Sequence, residues 1–233
     1  MEAAPLAPHS LTIAVGDGDA ISGLLLVPER PKACVVLAHG AGAGMAHPFM
    51  AAVAIGMHDR GVATLRYQFP YMGRGSRRPD GPIVAQATVR AAVEEVSLRL
   101  PGLPLFAGGK SFGGRMTSQA QAHSPLPNIR GIILLGFPLH PANKPSVARA
   151  QHLFDVSVPM LFLQGDRDAL ADPALIKQVA GAIGPRATLE TFPGADHSFH
   201  VPARSGRTGE QVRTRVLDVI ADWIVRVTDA SDR

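Results

Sequence analysis

The run Gly108-Gly109-Lys110-Ser111-Phe112-Gly113-Gly114 constrains this chain more than any other stretch. It follows Leu103-Pro104-Leu105-Phe106-Ala107, a short apolar segment of strand character, and leads into Phe112 to His123, which has helical spacing. Strand, tight turn and helix therefore meet at Ser111. The inner pattern Gly109-Lys110-Ser111-Phe112-Gly113 fits G-x-S-x-G in full, the pattern of a nucleophile elbow. The glycines have a steric reason: a turn this tight presses strand and helix backbones together, and a Cβ at Gly109 or Gly113 collides there. The result is an exposed hydroxyl at the carboxyl end of a strand, with a helix N-terminus behind it.

A five-residue pattern arises by chance in a chain with 24 glycines. Gly109-Lys110-Ser111 also looks like the end of a phosphate-binding loop, which needs a glycine five residues before Gly109. That position is Pro104, so the phosphate-loop reading fails on spacing. The elbow needs an acid, a base and an oxyanion loop, each at the right place in the fold.

The apolar runs supply that fold. Leu11 to Val15 and Ile21 to Val27 flank the turn cluster Gly16-Asp17-Gly18-Asp19 and read as an antiparallel hairpin. Ala33–Ala38, Val62–Tyr67, Leu103–Ala107, Ile129–Leu135, Pro159–Gln164 and Ala187–Phe192 read as further strands. Helical stretches separate them at Pro48–Asp59, Pro82–Leu100, Phe112–His123 and Pro173–Ala182, and Gly209–Val227 closes the chain. This alternation predicts an α/β fold of three layers: a mainly parallel, twisted sheet of about eight strands with helices on both faces. One domain covers 1–233, with a short lid-like segment at 138–158, too short for a cap domain, and a frayed tail at 229–233.

Composition narrows the function classes. With 46% hydrophobic and 18% charged residues and a formal charge of +4, the chain reads as a soluble globular protein rather than a nucleic-acid binder. The single cysteine, Cys34, sits in a buried-strand run, so no intrachain disulfide forms. Met1 to Ser10 has neither the basic nor the apolar region of a signal peptide, and no apolar run reaches membrane-span length. The expected location is cytoplasmic, with no membrane or nucleic-acid partner and a monomeric or homodimeric state.

Ligands of open α/β sheets gather outside the carboxyl ends of the strands. After Ala33–Ala38 comes His39-Gly40-Ala41-Gly42-Ala43-Gly44, whose small residues leave N–H groups free to face an anion; a plain flexible loop is the alternative. After Pro159–Gln164 come Asp166, Asp168 and Asp172. Asp172 before Pro173 reads as a helix N-cap, Asp168 as the catalytic acid, and Asp166 as the runner-up. After the last strand come Asp196, His197 and His200; His197 is the expected base and Asp196 a turn residue. Ser111, Asp168 and His197 follow one another in the chain order of a Ser-Asp-His triad on an α/β sheet.

The chain resembles the α/β-hydrolase superfamily over nearly its full length, and within it the compact bacterial branch of dienelactone-hydrolase-like or testis-expressed-protein-like hydrolases. The resemblance is carried by His39-Gly40-Ala41-Gly42, Arg66-Tyr67-Gln68-Phe69-Pro70-Tyr71, Gly109-Lys110-Ser111-Phe112-Gly113-Gly114-Arg115, Gly136-Phe137-Pro138-Leu139-His140-Pro141, Gln164-Gly165-Asp166-Arg167-Asp168 and Asp196-His197-Ser198-Phe199. It implies a triad of Ser111, Asp168 and His197. Dienelactone hydrolases proper use a cysteine where this chain has Ser111, so their substrate does not carry over. The branch often has asparagine at the position of Gln68.

The expected function is therefore a serine hydrolase of a small or flexible acyl ester, acting without metal or organic cofactor. Phe112 and Ala41 are the expected oxyanion donors. His39, Gly40, Arg66, Tyr67, Phe69 and His140 are candidates for the substrate wall, with loop packing as the alternative for Arg66, Tyr67 and Phe69. Lys110 is expected to point away from Ser111. A thioesterase or peptidase with the same triad, or a non-catalytic interaction module on a hydrolase fold, is the competing reading.

Overall fold

Short β-rich segments that are apolar at every position are stable only when both faces are covered. All six residues of Ala33–Ala38 are buried, as that argument requires, and so are all six of Val62–Tyr67, which include the polar Thr64 and Arg66. The computed structural model describes residues 7–16 and 18–231. Asp17 of the expected turn, residues 1–6 of the N-terminal stretch, and residues 232–233 lie outside the described residues.

The described strands are β1 (His9–Val15), β2 (Asp19–Leu26), β3 (Ala33–Ala38), β4 (Val62–Tyr67), β5 (Leu105–Lys110), β6 (Ile129–Leu135), β7 (Met160–Gly165) and β8 (Ala187–Phe192). They form one sheet in the order β1-β2-β4-β3-β5-β6-β7-β8. β1 and β2 form the expected antiparallel hairpin, and β2 also runs antiparallel to β4. The other pairs are parallel. Ala38 stands opposite both Tyr67 and Gly109, Lys110 opposite Leu135, and Gly165 opposite Phe192. The carboxyl ends of six strands thus lie along one edge, where their loops converge.

The helices are α1 (Pro48–His58), α2 (Pro70–Gly73), α3 (Pro82–Arg99), α4 (Phe112–His123), α5 (Pro173–Ile183) and α6 (Gly209–Ser231). Alternation along β6 shows how they are divided. Ile132 and Leu134 face a core filled by Val89 and Val93 of α3, Met116 of α4 and Ile176 of α5. Ile133 and Leu135 face a second core with Met50 and Val53 of α1 and Val216 and Trp223 of α6. Each such fully buried side chain contributes about 1.5–3 kcal/mol. Several boundaries shift by one or two residues, and two differ by more. β5 extends through Lys110 rather than ending at Ala107, because its glycines pair in register with β3 and β6. α6 continues to Ser231, through most of the tail expected to fray.

Candidate active site

Ser111 lies between β5 and α4 at φ 51° and ψ −113°, a backbone conformation that a non-glycine residue adopts only under strain. Its N–H donates to the Leu135 carbonyl at 3.0 Å, and Arg115 N–H donates to the Ser111 carbonyl at 3.0 Å. A Cβ on Gly109 would stand 2.4 Å from the Ala38 carbonyl oxygen; one on Gly113 would stand 2.5 Å from it and 2.6 Å from that of His39. The end of β3 therefore holds the elbow. Phe112 is the first residue of α4, so its N–H is one of the donors a helix N-terminus leaves without an intrahelical acceptor.

The loop after β7 carries Asp168, whose side chain is fully buried. Its Oδ1 accepts Leu170 N–H at 2.8 Å; its Oδ2 accepts Gln164 Nε2 at 2.6 Å and lies 2.6 Å from His197 Nδ1. A carboxylate only accepts, so Nδ1 carries the imidazole proton and Nε2 is left as an acceptor. The neighbouring acids are engaged elsewhere. Asp166 Oδ1 accepts Gly194 N–H at 2.7 Å, tying the loops after β7 and β8 together. Asp172 Oδ1 accepts Ala174 and Leu175 N–H at 2.9 and 3.0 Å as the cap of α5. Asp196 Oδ1 accepts Ser198 and His200 N–H at 2.8 and 2.9 Å within its own turn.

The loop after β3 is braced from behind. His39 is fully buried; its Nδ1 donates to the Gly40 carbonyl at 2.8 Å and its Nε2 accepts Phe69 N–H at 3.1 Å. Burial holds His39 below the usual histidine pKa, partly offset by the Gly40 hydrogen bond. Gly42 N–H donates to Tyr71 Oη at 3.2 Å and Met45 N–H to Gln68 Oε1 at 2.9 Å, while Arg66 Nη1 donates to the Met45 carbonyl at 3.0 Å.

Ser111, His197, Gly40 and Ala41 line one cleft of about 490 Å³, with Ala43, Phe49, Met50 and Leu170 supplying apolar wall and His47 and His200 adding ring nitrogens. The alpha/beta hydrolase domain family matches residues 31–225. The chain belongs to the α/β-hydrolase family. Solved structures share its fold. A dienelactone hydrolase from Anabaena variabilis matches with a TM-score of 0.76 at 19% identity, over 94% of this chain and 97% of that one. An a/b serine hydrolase without lid from Xanthomonas campestris matches with 0.73 at 21% identity, over 94% and 96%. A Mycobacterium tuberculosis protein provisionally named a phosphoribosyl transferase is 27% identical over 213 residues, 88% of this chain. The chain spans 43% of the length of these curated relatives. Family and fold support a hydrolase.

Within this α/β-hydrolase, several residues expected on the substrate wall lie elsewhere. Tyr67 and Phe69 are fully buried, the Phe69 ring packing 4.9 Å from His39 and 5.3 Å from Phe112. Tyr67 lies within β4 on the face shared with Ala63 and Leu65, and Phe69, between β4 and α2, packs into the same core. Arg66 is spent on the Met45 carbonyl. His140 accepts Asp172 N–H at 2.8 Å through Nε2 and donates to the Pro141 carbonyl at 2.9 Å, a strut between the segment after β6 and the start of α5. Of the six candidates, Gly40 alone lines the cleft. The segment 138–158 forms a 3-10 helix, Ala148–Asp155, whose Ala150 and Leu153 pack into the core beside α4. None of its residues lines the cleft.

Lys110 corrects the expectation that it points away. It is 9% exposed, lines the cleft, and its Nζ donates to the His197 carbonyl at 2.5 Å. Sequence reasoning quoted Gln164, Gln68 and Tyr71 in the resembling segments but gave them no hydrogen-bonding role. The available signal was a polar residue at the carboxyl end of an apolar strand, or just beyond it, as with Gln164 and Gln68. Among the described residues no group of three or more His, Cys, Asp or Glu side chains could hold a metal ion, and no helix is long and apolar enough to cross a membrane.

Proposed function

We propose that this chain is a serine hydrolase that cleaves small acyl esters through an acyl-enzyme intermediate. One observation carries the reading: a strained serine at a helix N-terminus shares a cleft with a histidine whose Nδ1 is held by a buried carboxylate. Ser111 Oγ attacks the acyl carbonyl. His197 Nε2, left as an acceptor by the Nδ1–Asp168 bond, takes the serine proton and then delivers it to the leaving alkoxide. Asp168 fixes the tautomer and stabilises the imidazolium. Phe112 N–H and Ala41 N–H face the developing oxyanion, and each such donor supplies roughly 3 kcal/mol of barrier lowering. Water repeats the sequence on the acyl-enzyme and restores Ser111.

The cleft argues for substrate size. Its wall of Ala41, Ala43, Phe49, Met50 and Leu170 suits an apolar group of modest length, and segment 138–158 supplies no part of it. The phosphoribosyl name belongs to chains of which this one spans less than half.

The test is labelling by a fluorophosphonate probe, followed by turnover of acyl esters and thioesters of increasing chain length. The native protein should label at Ser111 and Ser111→Ala should not. Equal labelling of the two, or none of the native protein, overturns the serine-hydrolase reading and favours an interaction module on this fold.

A further inference from the structure

Lys110 is a buried cation that the mechanism above does not use. It is the last residue of β5, directly before Ser111. Its aliphatic stem runs beneath the oxyanion loop: a Cβ on Gly40 would lie 3.6 Å from Lys110 Cγ. Its Nζ donates to the His197 carbonyl at 2.5 Å and sits 5.8 Å from the centre of the Phe199 ring. Gly136, at the end of β6, makes the room. A Cβ there would stand 2.9 Å from Lys110 Nζ, 3.2 Å from the His197 carbonyl oxygen and 3.4 Å from His197 Nδ1. Ammonium, histidine main chain and imidazole therefore share the space that one missing side chain leaves.

We propose that Lys110 is a positioning residue: its buried ammonium pins the His197 main chain to the end of β5, so that the imidazole is fixed at two points, main chain and Nδ1, beside the elbow. The proposal rests on the reading of Ser111 as nucleophile and His197 as base. An imidazole held at Nδ1 alone still pivots about its own backbone. A charge-assisted bond to the His197 carbonyl removes that freedom where misplacement costs most. The arrangement is specific to lysine. Its flexible stem passes under Gly40, and a single ammonium meets one carbonyl where a planar guanidinium has a different reach.

The clamp is also titratable. Burial pushes the Lys110 pKa down to about 8, and the Asp168 and Asp196 carboxylates oppose that fall. The groups that face the ammonium are Asp168 from the loop after β7, and Asp196 and His197 from the loop after β8. Gly136 and Gly40, from the ends of β6 and β3, bring no charge. The ammonium is present below about pH 8 and is lost as pH rises through it. Activity should then fall on the alkaline side through that range.

The experiment follows the fluorophosphonate labelling rate against pH in native protein, Lys110→Met and Lys110→Arg. In parallel it follows amide hydrogen exchange over residues 194–200. Lys110→Met should label about 10- to 100-fold more slowly near neutral pH, the usual worth of a hydrogen bond from a charged group, without the alkaline fall. Its loop amides should exchange faster by a similar factor. Lys110→Arg should keep part of the rate and show no alkaline fall, because its charge persists. If Lys110→Met matches native protein in rate and exchange, or Lys110→Arg keeps the native alkaline fall, the proposal is overturned. Should native protein not label at all, the hydrolase reading fails, while the exchange comparison still decides the clamp. If Lys110→Met does not fold, the Arg variant decides by its pH profile.

Discussion

On the elbow side of the cleft, backbone lies against backbone. Gly109 and Gly113 bring β5 and α4 onto the carbonyls of Ala38 and His39, leaving no room for a side chain. On the histidine side, polar side chains make the connections. Asp168 takes three donors, from Leu170, Gln164 and His197, and Lys110 reaches across from β5 to the His197 carbonyl. The elbow is positioned by sterics, which neither pH nor salt alters. The histidine loop is positioned by desolvated charge, which is strong when paired and costly when one partner is missing. The proposed nucleophile, Ser111, therefore stands on the rigid side of the cleft, and the proposed base, His197, stands on the side that responds to charge.

The largest expected effect tests the histidine side. Asp168→Asn keeps the shape of the buried carboxylate but removes its charge and its acceptor-only character, so the imidazole no longer has one enforced tautomer. Turnover should fall by about 10⁴-fold, equivalent to roughly 5 kcal/mol of barrier, with the fold retained by circular dichroism. Asp166→Asn, whose target accepts only Gly194 N–H, should stay within about threefold of native because an amide oxygen still accepts that bond. A reversed pair of results moves the acid role to Asp166.

The elbow side breaks differently. Gly113→Ala forces a Cβ to within 2.5 Å of one carbonyl and 2.6 Å of another, and neither belongs to a flexible side chain. Stability should drop by about 3 kcal/mol or more, read from the urea midpoint, as is usual for overpacking against fixed backbone. Gly42→Ala is the control. Gly42 has φ +72° but nothing within 4 Å of a would-be Cβ, so only the backbone cost of about 1 kcal/mol applies. If Gly113→Ala is as mild as Gly42→Ala, sterics do not hold the elbow and the contrast between the two sides collapses.

The same contrast explains what could be read from the sequence. Ala33–Ala38, Val62–Tyr67, Phe112–His123, Ile129–Leu135 and Ala187–Phe192 were legible to the residue, because apolar runs and helical spacing report burial directly. The glycine spacing around Ser111 was legible because a steric need leaves few residue choices. Charged and hydrogen-bonding roles were harder. Lys110 looked like a surface residue because nothing in its neighbours along the chain signals that Gly136 and His197, distant in sequence, fold over it. Arg66, Tyr67, Phe69 and His140 were placed on the substrate side by their position at or after the ends of strands. In the structure side-chain direction, which sequence position does not carry, sends them inward. Phe49, Met50 and Leu170 were missed for the converse reason: apolar residues on a cleft wall look like core in a one-dimensional reading.

The smallest effect concerns a titratable polar brace on the elbow side. His39 Nε2 accepts Phe69 N–H, so it must be unprotonated for the loop before Ala41 to keep its shape. Burial holds the folded-state pKa of His39 below its ordinary value of 6.5. The unfolded chain then takes up the proton first as pH falls, and stability from this group is full above about pH 6.5 and declines below it. His152 works in the same direction, pushed down to about 4 by burial and by the Arg115 charge, so the native curve mixes both. His39→Asn separates them. It should be less stable than native near pH 7 by about 1 kcal/mol, the worth of one hydrogen bond, yet lose less on acidification. Urea unfolding of the two proteins from about pH 7 to pH 4.5 should thus give curves that converge as pH falls. Parallel curves would mean that His39 keeps one protonation state throughout and does not make the elbow side respond to pH.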